Sequence, residues 1–415
     1  MIHRRAFISL LPASLAIPDI LLAADSPPFR IRTITAGVPL TASGWQQQLL
    51  EAATFLRAAK SDFQDQAYEV QTLRIATQAL PEYLHDWSGT AGLRVLAEMD
   101  EFCRSEGLIL SVGQMINAAV GGGYNARLAD WAVELIRTTE RLNFTVAVAS
   151  ASGGVDVGAI RSAAETIAAI AKSSPGGEGN FRFAATAFCP PGTPFFPAAW
   201  HQGDPSFAIG LETPPLLQLA AESLPADRSV ADHIAAVMDA ALGPVQRQAE
   251  EISRRTEKPY LGIDTSPAPG PDASIGKVIE SISGAAFGSI STLRTCASIT
   301  DALKNLQVKT CGYSGLMLPV VEDTVLAKRA AEGRYGIQEL LLYSSVCGTG
   351  LDVVPLPGDS STESLEAVIG DVAALANKYR KSLSARLFPI PGKQAGDAVT
   401  FKNPFLMDSV VMEID

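Results

Sequence analysis

The stretch AGLRVLAEMDEFCRSEGLILSVGQM, Ala91–Met115, decides the fold class. Leu93, Leu96, Met99 and Cys103 recur every three or four residues, which is the spacing of a helix with one apolar face. Gly107 breaks the pattern, as glycine does just past a helix end. LILSVGQM follows as a short apolar run, read as a strand buried on both faces. Helix, glycine, buried strand is the repeating step of an α/β fold with a largely parallel sheet.

The same step recurs outward in both directions. NARLADWAVELIRTTERL and NFTVAVASASG, Asn125–Gly153, form the next helix and strand, and DVGAIRSAAETIAAIAKSS is a long helix ending before PGGEGN. Upstream, FRIRTITAGVPL and EVQTLRIATQAL read as strands flanking the helix GWQQQLLEAATFLRAAKSDFQ. Downstream, YLGIDTS, LDVVPLP and SARLFPIP read as strands between helical segments, while the type of GIQELLLYSS stays open. CPPGTPFFPAAWHQGDPSF, Cys189–Phe207, is too long and proline-rich to be a simple connection, and loops of that kind often meet a ligand.

Composition narrows the partners. A net charge of -11 with no basic patch lacks the phosphate-neutralising charge that nucleic acids and anionic membranes demand, so a small molecule is the expected ligand. The five cysteines show no C-x-x-C spacing, which argues against a thiolate metal cluster and leaves any disulfide pairing open. At the N-terminus Arg4 and Arg5 precede Phe7, an interrupted apolar run and Ala23–Ala24, the order of a cleaved export signal of the twin-arginine type. Residues 1–24 are therefore expected to be removed, leaving 25–415 as a single exported domain, periplasmic or extracellular, with no lasting membrane span.

Candidate site residues sit where α/β proteins build sites, at strand ends. Asp264 ends an apolar strand before a loop stiffened by Pro267, Pro269 and Pro271. Glu322 and Asp323 open a helix, where they serve either the helix dipole or a divalent cation. Cys347, beside Gly348 and ahead of Asp352, is either a working thiol or a packed one. His201 in the proline-rich loop is a candidate proton carrier, Lys393 a candidate anion contact, and Gly315 and Gly348 allow a ligand close to the backbone. Nucleotide, zincin and α/β-hydrolase signatures are absent from the sequence.

Taken in order, FRIRTITAGVPL, YLGIDTSPAPGPDASIG, SGLMLPVVED, SSVCGTGLDVVPLPGD and PGKQAGDAVTF resemble the motif series of the DUF711 family, also called UPF0210. The resemblance runs from about Phe29 to the C-terminus and implies a ten-stranded α/β barrel similar to ribonucleotide reductases and pyruvate formate-lyase-like enzymes. In those enzymes a catalytic cysteine lies on a loop inside the barrel. For cytoplasmic members the resemblance also implies a small ACT-domain protein as partner, an association that the export signal here puts in doubt. ARLFPIPGKQAGD lacks the setting of a glycyl radical, which disfavours radical chemistry. The expectation is an enzyme working on a small polar metabolite by acid/base or metal-assisted chemistry. Cys347, His201, Asp264 and Asp352 are its catalytic candidates, Lys393, Gly348 and Gly315 contact the ligand or cofactor, and Glu322 and Asp323 hold a metal. The alternative is a binding protein that keeps the barrel pocket without catalysis. A homodimer is compatible with either.

Overall fold

A computed structural model describes residues 27–116 and 122–414. The export segment proposed for residues 1–24 lies outside them. The chain alternates strands and helices through its length. The first half runs β1 (Arg30–Val38), α1 (Trp45–Gln64), β2 (Val70–Thr77), α2 (Thr90–Glu106), β3 (Leu108–Ile116), α3 (Leu128–Thr138), β4 (Leu142–Ser150), β5 (Gly154–Val155), α4 (Val157–Ser173) and β6 (Phe183–Ala187). The second half runs β7 (Ser206–Glu212), α5 (Pro214–Glu222), α6 (Val230–Thr256), β8 (Tyr260–Asp264), α7 (Ile275–Ser283), α8 (Thr292–Lys304), α9 (Thr324–Ala331), α10 (Ile337–Ser344), β9 (Gly350–Pro357), α11 (Thr362–Tyr379) and β10 (Leu383–Ile390).

The opening stretch behaves as its pattern requires. In α2, Leu96, Met99 and Cys103 are buried, and Gly107 takes a left-handed φ of 67° that turns the chain into β3. Other helices begin on side-chain caps: Asp156 accepts from the Ala159 N–H, Ser229 from Asp232 and Ser361 from Ser364. GIQELLLYSS, open in the sequence, is helical as α10, with Ile337, Leu340 and Tyr343 buried at helical spacing.

The strands form one sheet of ten strands in the order β8-β7-β1-β2-β3-β4-β6-β10-β9, with β5 beside β4. Strands β1, β2, β3, β4 and β6 are mutually parallel. So are β7 with β8 and β10 with β9, but β7 meets β1 and β10 meets β6 antiparallel. Five central parallel strands are thus flanked on each edge by a pair running the opposite way, β7 with β8 on one side and β10 with β9 on the other. Both ends of this path touch the irregular segment 309–321. The Ile263 N–H donates to Lys309 O at 2.8 Å, and the Val320 N–H donates to Asp352 O at 3.0 Å. One apolar cluster reaches from Phe29 to Met412 and takes in the helices and strands of both halves. No helix among the described residues is long and apolar enough to cross a membrane.

Candidate functional site

A cavity of about 670 Å³ is lined by side chains from the central strands and from β9 and β10, a size typical of small-molecule sites. Strands contribute Arg32, Thr72, Arg74, Asn143, Asp352, Ser384 and Arg386, and the loop after β6 contributes Phe195–Ala198. That proline-rich loop is pinned to the sheet. The Thr35 hydroxyl donates to Pro194 O at 2.9 Å, the Ser111 hydroxyl to Ala199 O at 2.6 Å, and the His201 N–H to Thr77 O at 2.9 Å. It thus lies across the strands and presents Phe195 and Phe196 to the cavity.

Charges dominate one wall. Arg386 on β10 holds two carboxylates: its Nε donates to Asp352 at 2.7 Å, and its Nη2 donates to Glu322. All three side chains are nearly buried. Burial raises the Glu322 pKa above the ordinary carboxylate range, Arg386 pulls it back, and the neighbouring Asp352 charge raises it further. Burial works against the Arg386 charge, but Asp352 and Glu322 outweigh it and raise that pKa. Arg32 reaches Glu212 at 3.2 Å, and Arg30 reaches the same carboxylate at 2.6 Å.

Arg74 on β2 differs from its neighbours. It is only 8% exposed, and its Nε donates to the Thr72 hydroxyl at 3.1 Å. Among the described residues no carboxylate lies within ion-pair distance of it. The guanidinium sits 5.1 Å from the centre of the Phe196 ring. Burial, then the nearby Arg32 charge, lowers its pKa to about 9. Tyr313 also lines this cavity, and its hydroxyl is buried beside Cys189 and Ser384.

Of the residues singled out in the sequence, Glu322 and Asp352 line this cavity and share one guanidinium. The others lie elsewhere. Asp264 is fully buried and accepts from the Ser266 hydroxyl at 2.6 Å, the Ser266 N–H at 3.1 Å, the Tyr313 N–H at 2.8 Å and the Ser314 N–H at 2.9 Å, which fixes segment 312–315 against β8. Asp323 accepts from the Ser274 hydroxyl and from the N–H groups of Ile275, Gly276, Val325 and Leu326, so it caps α7 and α9 together. Its oxygens are spent on these donors, whereas Glu322 turns to Arg386. The two acids therefore do not form the expected metal pair, and no group of three or more His, Cys, Asp or Glu side chains suited to a metal occurs among the described residues.

Cys347 is fully buried in the apolar cluster at the α10–β9 turn and does not line the cavity. Of the five cysteines, Cys189 is the one that opens the loop lying across the sheet, where it packs with Ala198, Tyr313 and Trp200. Burial pushes its thiol up to about 11. No two cysteines are joined. His201 packs its ring against Gly37, with Nε2 2.9 Å from Gly203 O, and burial lowers its pKa. It stands outside the cavity wall. Gly315 and Gly348 face each other: a Cβ on Gly348 would come within 2.2 Å of the Gly315 Cα. They let two backbones touch, rather than a ligand. Lys393 sits in the turn after β10, where its carbonyl accepts from the Gly358 N–H at 2.9 Å, away from the cavity.

Arg74 and Arg386 were not singled out in the sequence. The available signal was an arginine in the middle of an apolar strand, in QTLRIAT and SARLFPI. A buried charge without obvious company is the informative event in such a pattern.

The family model described as "Uncharacterised ACR (DUF711)" matches residues 24–402. A UPF0210 protein of Pyrobaculum islandicum is 32% identical over 345 residues, covering 79% of this chain and 75% of that protein. A UPF0210 protein of Oleidesulfovibrio alaskensis is 31% identical over 304 residues, covering 69% of this chain and 66% of that protein.

Proposed function

The chain belongs to the DUF711 family, and on that footing we propose that it is an enzyme acting on a small polar metabolite by acid/base chemistry in the interior cavity. The observation that carries this reading is the pair of carboxylates, Glu322 and Asp352, on the single buried guanidinium of Arg386. Two acids so close resist ionising together, so burial and the Asp352 charge favour a proton on Glu322. Glu322 then gives or takes a proton at the substrate while Asp352 balances Arg386.

We read the sheet as a barrel around this cavity, closed by segment 309–321. Supporting this are the hydrogen bonds of that segment to β8 at one end and β9 at the other. Export remains part of the proposal, resting on Arg4, Arg5 and Phe7, and the mature N-terminus of the secreted protein tests it. A Met1 retained on cytoplasmic protein contradicts export.

The test of catalysis is incubation of the full-length protein with a metabolite extract, followed by mass spectrometry. Wild type should deplete one compound and accumulate its product, and Glu322→Gln should slow that conversion about 100-fold or more. Equal conversion by the variant overturns the role of Glu322. A second reading, binding without catalysis, is favoured by the fact that both carboxylates are already engaged by Arg386. It predicts a metabolite captured and released unchanged.

A further inference from the structure

We propose that the cavity binds a small organic acid by its carboxylate, with Arg74 as the anchoring cation and Phe195, Phe196 and Met317 around the apolar body. This deepens the reading of the cavity as an active site and rests on it. The cavity wall has arginines with partners and one buried arginine without. Arg32 is answered by Glu212, and Arg386 by Glu322 and Asp352. Arg182 donates to Thr139 and to the carbonyls of Leu142 and Ile136. Arg141 is partly exposed. Arg74 is 8% exposed, and beyond the bond from Nε to Thr72 neither Nη1 nor Nη2 donates to any described residue. A buried charge left unpaired is costly, so a protein keeps one where an incoming charge completes it.

The shape of the unmet demand selects the ligand. With Nε engaged and one face on the Phe196 ring, the guanidinium offers its paired Nη edge, which matches the two oxygens of a carboxylate. Asp352 also faces this space, and its charge opposes a dianion more than a monoanion. A monocarboxylate therefore fits better than a phosphate ester. Phe195 and Met317 form a small apolar cluster beside this site, which suits a carbon skeleton.

Thermal unfolding of the full-length protein tests the proposal with benzoate, butyrate and inorganic phosphate as probes. Benzoate and butyrate should raise the melting temperature of wild type and of Glu322→Gln in a dose-dependent way, and phosphate should not. Arg74→Met should lose that response. Should Arg74→Met not fold, phenylglyoxal labelling of wild type mapped by mass spectrometry reads the same contact. Saturating benzoate should then slow modification of Arg74 about tenfold while leaving exposed arginines unchanged. A benzoate response kept in full by Arg74→Met, labelling of Arg74 indifferent to benzoate, or a response to phosphate alone would each overturn the carboxylate site. The two readings fail separately. Conversion that persists in Glu322→Gln removes the acid/base role and leaves Arg74 binding intact, whereas loss of the Arg74 effect leaves catalysis at Glu322 to stand on its own measurement.

Discussion

Arg74 and Asp323 are both buried charges, and their surroundings separate a ligand site from a structural one. Asp323 is met by five donors at the starts of two helices. Replacing it by alanine strands those donors and should cost about 3 kcal/mol or more, read by urea denaturation. Arg74 is met by one hydroxyl, and its removal should have the opposite sign. Arg74→Met is expected to stabilise the fold by about 1–4 kcal/mol, since an apolar side chain replaces an unpaired buried charge. Glu322 gives a pH signature. Its folded pKa is raised, so the stability it contributes is greatest below the ordinary carboxylate range of about 4 and is lost as pH climbs through the raised value. Glu322→Gln should therefore gain on wild type in urea midpoint as pH rises from acid to neutral. In sequence, Glu322, Asp323 and Asp264 looked alike because each stands at an element boundary. The donors that absorb Asp264 and Asp323 are supplied largely by segments about 50 residues away, and no local pattern shows them.

Among the elements, the irregular segment 309–321 matches no strand or helix pattern in the sequence. It has no alternation and no helical period, yet it supplies Tyr313 and Met317 to the cavity and hydrogen-bonds to β8 and β9. Its contact with the α10–β9 turn depends on Gly315 and Gly348, which a Cβ would force apart. Gly348→Ala is expected to cost about 1–3 kcal/mol, as overpacking does, and to weaken benzoate binding by shifting Thr349 and Tyr313. Unfolding midpoints and calorimetry on the variant check both effects. The regular strands and helices were legible because period and boundary residues agree, as in α2, Gly107 and β3. Which face of a strand meets the cavity was not legible. Alternation in EVQTLRIATQAL sorts the side chains into two sets, but the polar set of an ordinary sheet faces solvent. Here Thr72 and Arg74 line a cavity instead.

For the whole molecule, the five central parallel strands and the oppositely directed β9 and β10 share a cavity that both sets line. If segment 309–321 closes them into a barrel, its amides should exchange with deuterium as slowly as those of the central strands. Fast exchange at Cys311 and Val320, with slow exchange in β1 and β4, would show an open seam instead. The family resemblance identified the sheet-building motifs and two of the cavity acids, but the expectation it attached to a loop cysteine fell on Cys347, which belongs to the core. Sequence motifs mark where the backbone is constrained, and the cavity is defined by side chains that meet across the fold. The most direct measurement is a crystal structure of the full-length protein grown with benzoate. The expected result is a carboxylate in the interior cavity with both oxygens about 2.7–2.9 Å from Nη1 and Nη2 of Arg74. Benzoate bound elsewhere, or an Arg74 guanidinium paired with a carboxylate of the protein itself, would contradict it.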